Sequence, residues 1–220
     1  MARRLIWGQE IAGSSPVFQT MDINKIITEL KISDEIIAIF PYGSRVYGFA
    51  NENSDEDYII VIKNAFLKSG SFRDNAISNE DKSIQGVLYS RTGFIDAINN
   101  YNMPAMECLS LEKDIIFNKW KFAVYKWDEK ELIKKVIQQS SASWHIATEQ
   151  SKNGFKDRAK KGIFHSLRIL DFGLQLKENK KIINFQSCND LYYEINDIEN
   201  FDDRNYISFR DNLVKKLKGY

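Results

Sequence analysis

Cysteine is scarce in this sequence: Cys108 and Cys188 are the only two among 220 residues. Two cysteines so far apart give neither a disulfide framework nor CxxC metal-ligand spacing, so they read as structural and the chain as cytoplasmic. Long apolar runs are missing as well. None approaches the roughly 18 residues a membrane helix needs, so no membrane partner is expected. There is no internal repeat and no low-complexity tract. An overall charge of one sign is also absent, since 31 Lys+Arg against 30 Asp+Glu leave a net of +1. That balance hides an asymmetry: residues 1–120 carry 12 basic against 16 acidic side chains, and residues 121–220 carry 19 against 14. An acidic front and a basic back suggest two modules with different tasks.

What is present is an ordinary globular composition, 43% hydrophobic and 28% charged, in a chain long enough to bury a substantial core. The first twenty residues stand apart, with no sustained period and no apolar region of a secretory signal. Gly13-Ser14-Ser15-Pro16 resembles the translation of a tRNA gene's T arm. We therefore expect residues 1–20 to be a non-native or disordered extension and Met21 the native start. From there Ile23, Ile26, Ile27 and Leu30 recur at helical spacing over 22–31. Ile36–Phe40 and Tyr58–Ile62 read as buried strands, 83–89 as a third, and 64–82 as a polar loop. Helices are expected over 92–101 and after Pro104, the latter burying Met106 and Leu109. Beyond Asp128 the pattern is helical, at 128–150, 156–177, 188–197 and 203–218. The fold class expected is α+β, an α/β unit over 21–120 followed by a helical domain over 121–220.

The chemistry concentrates in Gly43-Ser-Arg-Val-Tyr-Gly-Phe-Ala-Asn-Glu-Asn-Ser-Asp55-Glu-Asp57. Asp55 and Asp57, two apart at the mouth of a strand, point to one face. Two carboxylates so close repel unless a cation lies between them, and oxygen ligands suit Mg²⁺ or Mn²⁺. Gly43 and Ser44 end one strand and enter a helix, where backbone amides and a hydroxyl can cradle an anion, with Arg45 adding positive charge. A metal pair beside a phosphate cradle is what phosphoryl transfer from a nucleoside triphosphate (NTP) needs.

Gly-Ser, ten residues, then Asp-x-Asp resembles the signature of the polymerase-β-type nucleotidyltransferase superfamily. Tyr89-Ser90, Asn102-Met-Pro-Ala-Met-Glu107 and His165-Ser-Leu-Arg168 extend the likeness to a subfamily linked to RNA repair. The resemblance covers about 40–187. It implies a polymerase-β-like core and transfer of a nucleoside monophosphate (NMP) to an acceptor hydroxyl, an RNA end among the candidates, with release of pyrophosphate. Asp55 and Asp57 would be the catalytic metal ligands, and Gly43, Ser44 and Arg45 would hold the phosphates. The superfamily's third carboxylate falls here on Gln85, which offers a carbonyl oxygen but neither charge nor a base. Glu80 and Asp81 would substitute for it if the strand register slipped. The alternative is a catalytically inactive nucleotide- or RNA-binding module of the same fold, acting through a partner.

A second candidate lies on the 156–177 helix. Ile163, Leu167, Leu170 and Leu174 form an apolar stripe, and Arg158, Lys161, His165 and Arg168 a basic one. The basic stripe reads equally as a solvated face or as a phosphate or RNA contact, so Lys161, His165 and Arg168 are candidate nucleotide-binding residues. His145 reads as a packed helix residue. Glu107 reads either as a support to the site or as a charge in the first turn of the Pro104 helix.

Overall fold

The computed structural model describes residues 22–32, 35–63, 75–112, 117–119 and 126–220. The expected extension over 1–20, most of the 64–82 loop and the boundary near 120 lie outside them. The chain is α+β, with a five-stranded mixed sheet, about eight helices and a helical C-terminal half.

The sheet is built on two strands that are apolar on both faces. Strand β1 (Ile36–Tyr42) pairs antiparallel with β2 (Glu56–Ile62), and Ile59 to Ile62 are each almost wholly buried. Fully burying an aliphatic side chain contributes about 1.5–3 kcal/mol, so these short runs fix the centre of the sheet. Strand β4 (Ile84–Ser90) runs parallel to β2, β3 (Ala76–Ser78) lies outside β4, and β5 (Phe117–Asn118) lies outside β1.

Alternation along β2 sends its side chains to two cores. Ile60 and Ile62 meet helix α1 (Ile23–Glu29) through Ile26 on one face. Ile59 and Val61 meet Phe94 and Ile98 of α3 (Arg91–Asn99), and Ala105 and Cys108 of α4 (Met103–Ser110), on the other.

The C-terminal half is centred on an antiparallel pair, α5 (Glu129–Lys152) and α6 (Lys156–Asn179). Gly162 and Gly173 let them approach closely, since a methyl group at either would overlap Ala147 or Val136. Helices α7 (Asn189–Asp197) and α8 (Ile207–Lys218) complete the layer, with a short 3-10 turn at Asp203–Tyr206. The expected 203–218 helix is thus two pieces. The core of this half takes in Tyr101, Met103 and Met106 from the α3–α4 region. Gln139 of α5 secures that contact, accepting from the Met103 amide at 2.9 Å and donating to the Tyr101 carbonyl at 2.8 Å.

Four expectations need correction. Part of the 64–82 segment is an edge strand, β3, too short to carry a pattern. Leu109 is 37% exposed because α4 turns Met106, Glu107 and Cys108 inward instead. His145 is exposed on α5, whose contact with α6 runs through Val136, Ser140 and Ala147. Helix α6 keeps Ile163, Leu167, Leu170 and Leu174 on the core as expected, but its burial is wider than one stripe: every residue from Ile163 to Gly173 except His165 is buried, so Arg168 leaves the basic stripe. Among the described residues no helix is long and apolar enough to cross a membrane.

Candidate functional site

The β1–β2 hairpin sets the first part of the site. At its connected end Tyr42 pairs with Asp57, so the turn that follows Tyr42 lies directly against that carboxylate. Gly43 adopts φ +75° there, and a Cβ at this position would overlap Asp57 Oδ2. A glycine is therefore required twice, by conformation and by contact. Helix α2 (Ser44–Tyr47) follows, a single turn too short for an appreciable macrodipole. What it offers an anion is local: the Ser44 and Arg45 amides meet no acceptor among the described residues.

Asp55 stands just before β2 and Asp57 within it, both half-buried. Burial, and then the Asp55 charge, push Asp57 up to about 6, while Arg45 opposes the rise. No hydrogen-bond donor reaches Asp57 among the described residues. Arg45 is committed elsewhere. Its Nη2 donates to the Ser54 carbonyl at 2.7 Å and its Nε to the Asp55 carbonyl at 3.1 Å, bracing the loop that presents the carboxylates.

The parallel register places Gln85 of β4 beside Asp57, and its Nε2 donates to Asp55 Oδ2. Asp55, Asp57 and Gln85 therefore converge, with an amide at the position where the family likeness expects an acid. Glu80 and Asp81 do not replace it. Both lie in the turn before β4, Glu80 paired with Lys31 at 3.4 Å and Asp81 accepting from Ser83. An open groove of about 590 Å³, lined by Arg45, residues 52–56, Asp81 to Ser83 and Gln85, adjoins Asp55.

Among the described residues no group of three or more His, Cys, Asp or Glu side chains is placed to hold a metal ion. Two carboxylates and the Gln85 carbonyl are the available donors. Mg²⁺ dehydrates reluctantly and commonly takes one or two protein carboxylates together with substrate phosphates, so the set suits a cation arriving with a triphosphate.

The basic stripe of α6 divides. Lys161 is exposed and makes no contact with the carboxylate pair among the described residues, and Arg158 lies over the Phe155 ring. His165 is half-buried. Arg168 is only 6% exposed, with its guanidinium 3.7 Å from the Tyr47 ring centroid. Tyr47 ends α2, one turn after Ser44, and its hydroxyl donates to Glu107 at 2.5 Å. Glu107 is 2% exposed in the second turn of α4, which removes the first-turn surface reading. Burial pushes its carboxyl above the usual range, with Arg168 and the Tyr47 hydroxyl opposing. Burial also raises Tyr42 and Tyr47 far above the usual phenol range.

A buried polar network thus lies under the Gly43–Ser44 turn. Sequence reading isolated Arg168 and Glu107 but not their meeting through Tyr47. The one hint was Tyr47 itself, an aromatic with a polar tip three residues after Ser44. Phe49 extends the clamp, stacked on Tyr192 of α7 at 4.1 Å and edge-on to Phe164. No family model matches the chain, and no curated protein matches it.

Proposed function

We propose that the chain is a metal-dependent nucleotidyltransferase with a polymerase-β-like core. An acceptor hydroxyl oxygen attacks the α-phosphorus of an NTP as its proton passes to water, the bond from that phosphorus to the bridging oxygen breaks, and pyrophosphate leaves. One observation carries this reading: Gly43 is shaped around the Asp57 carboxylate, while Asp55 and Asp57 lie side by side and neither forms an ion pair among the described residues. Carboxyl pKa values raised by burial and like charge cluster at functional sites.

In this reading Asp55 and Asp57 hold Mg²⁺ or Mn²⁺, which supplies charge neutralisation at the phosphates. The Ser44 and Arg45 amides and the Ser44 hydroxyl bind phosphate oxygens. Arg45 keeps the 51–55 loop in place through its two carbonyl bonds. The adjoining groove gives the acceptor room beside Asp55, an RNA end remaining a candidate.

The test is pyrophosphate release from each NTP with Mg²⁺ or Mn²⁺, with and without RNA. Release should require both Asp55 and Asp57; normal release in Asp57→Ala would sink the assignment. Gln85 favours a second reading. Its amide occupies Asp55 without adding charge, as in a module that binds a nucleotide or RNA but does not turn it over. Tight NTP binding with no pyrophosphate release would decide for that reading.

A further inference from the structure

The search beyond the carboxylate pair leads to the contact between Arg168 and His165. Arg168 Nη2 lies 3.0 Å from His165 Nδ1. A guanidinium is always protonated and can only donate, so Nδ1 must accept and the ring proton must reside on Nε2. A second proton would set an imidazolium against a buried guanidinium. The pKa of His165 is accordingly pushed down to about 3 by burial and then by Arg168. Behind Arg168 stand Glu107 from α4, Tyr47 from α2, Tyr42 from β1 and Cys188 at the start of α7. The His165 ring is therefore fixed in one tautomer.

The other edge of the ring is unspent. Among the described residues Nε2 has no hydrogen-bond partner, and it is not among the sealed polar atoms. Buried Arg168 Nε is also unpartnered. The same guanidinium packs on Tyr47, the last residue of the turn that begins at Ser44. One buried cation thus sets both the tautomer of His165 and the seat of α2.

We propose that Arg168 is a positioning residue that locks His165 as a neutral Nε2–H donor, and that this donor receives an oxygen of the phosphate chain seated at Gly43–Ser44. Placing that phosphate chain on a nucleotide rests on the function proposed above; the tautomer and its use toward a phosphoanion do not. Arg168 itself does not touch the ligand. A neutral donor suits this place because its strength does not change with pH near neutrality, unlike an ordinary histidine.

The experiment uses the ¹⁵N-labelled full chain carrying His145→Gln, which leaves one imidazole. Long-range ¹H–¹⁵N spectra should show a single Nε2–H tautomer throughout about pH 5 to 8, and titration of the ring in that range would overturn the proposal. Arg168→Met, which removes the donor to Nδ1, should let the Nδ1–H tautomer appear beside Nε2–H; a single Nε2–H tautomer in the folded variant would overturn the role of Arg168. If that variant does not fold, the parent protein still decides through its response to ligands. Inorganic pyrophosphate and Mg-ATP, added separately, should each shift the Nε2 resonance, and no shift with either overturns the donor. A shift with pyrophosphate alone keeps the donor and removes the nucleotide reading.

Affinity gives an independent check. His165→Ala should weaken pyrophosphate binding about tenfold, and His165→Gln, which retains an N–H donor, should restore most of it. Equal loss in both variants would mean that the ring only packs, and would overturn the proposal.

Discussion

Two clusters of ionisable side chains meet at the Gly43 turn, and they are built in opposite ways. Above it, Asp55 and Asp57 are half-open and mutually repelling, and among the described residues only Asp55 accepts a side-chain hydrogen bond, from a neutral amide. Below it, Glu107 and Arg168 are buried, with Tyr47 lying between them as hydrogen-bond donor and cation-binding face. The lower cluster balances its charges and holds shape; the upper one leaves charge unbalanced where a ligand would enter. A binding site gains from unmet demand only if the groups beneath it do not move to meet that demand. The contrast can be broken from either side.

The largest effect should come from below. Arg168→Met removes a buried charge and leaves Glu107 uncompensated, which should cost about 3–5 kcal/mol of stability in urea denaturation. Adding Glu107→Gln should recover part of that loss, because the stranded carboxylate is then gone. If Arg168→Met proved as stable as the parent, the lower cluster would not be the support described here.

Gly43→Ala comes next. The methyl group overlaps Asp57 Oδ2 and the residue must hold a positive φ, which together should cost about 2–4 kcal/mol. In an Asp57→Ala background the overlap disappears and only the conformational part, about 1 kcal/mol, should remain. A double-mutant cycle on thermal melts measures the difference. An additive cycle would mean that the turn and the carboxylate are not in contact.

Much of this was legible in the sequence, and the rest was hidden for identifiable reasons. Strands β1 and β2 announced themselves because Ile36–Phe40 and Tyr58–Ile62 are unbroken apolar runs closed by Pro41, Gly43 or polar turns. Spacing placed Asp55 and Asp57 on one face, because strand side chains alternate with a period of two; Gln85 was brought beside them only by the family likeness, and the parallel register of β4 with β2 puts it next to Asp57. The lower cluster was not legible. Glu107 lies 60 residues from Tyr47 in sequence, and no local pattern marks a carboxylate that turns inward on a helix of eight residues. Arg168 kept helical step with Lys161 and His165 and so shared their reading. On α6 that periodicity misleads, since the helix is enclosed on nearly every side after Ile163. β3 was missed because three residues with one partly covered side chain carry no period.

A smaller effect, of reversed sign, tests the upper cluster. The folded-state pKa of Asp57 lies near 6, above its ordinary value of 3.8, so its charge opposes folding. That cost is absent below about pH 4, where both states are protonated, grows as pH rises toward 6, and is complete above it. Asp57→Asn should therefore stabilise the chain at pH 8 by about 1 kcal/mol, after allowance for solvent screening of a half-exposed group. The gain should vanish near pH 4. Added Mg²⁺ with ATP should raise the melting temperature of the parent more than that of the variant.

The smallest change is the most discriminating. Gln85→Glu introduces a carboxylate beside Asp57 without altering side-chain length, so the fold should tolerate it with a loss of about 1 kcal/mol from added repulsion. A third negative oxygen donor should tighten Mn²⁺ binding in the presence of ATP several-fold, measurable by electron paramagnetic resonance. The turnover of the variant then separates the two readings of the site. If the parent already releases pyrophosphate and the variant merely needs less Mn²⁺, two carboxylates suffice and Gln85 only tunes the metal. If the variant releases pyrophosphate where the parent does not, the amide on Asp55 is what holds an otherwise assembled site in a binding-only state.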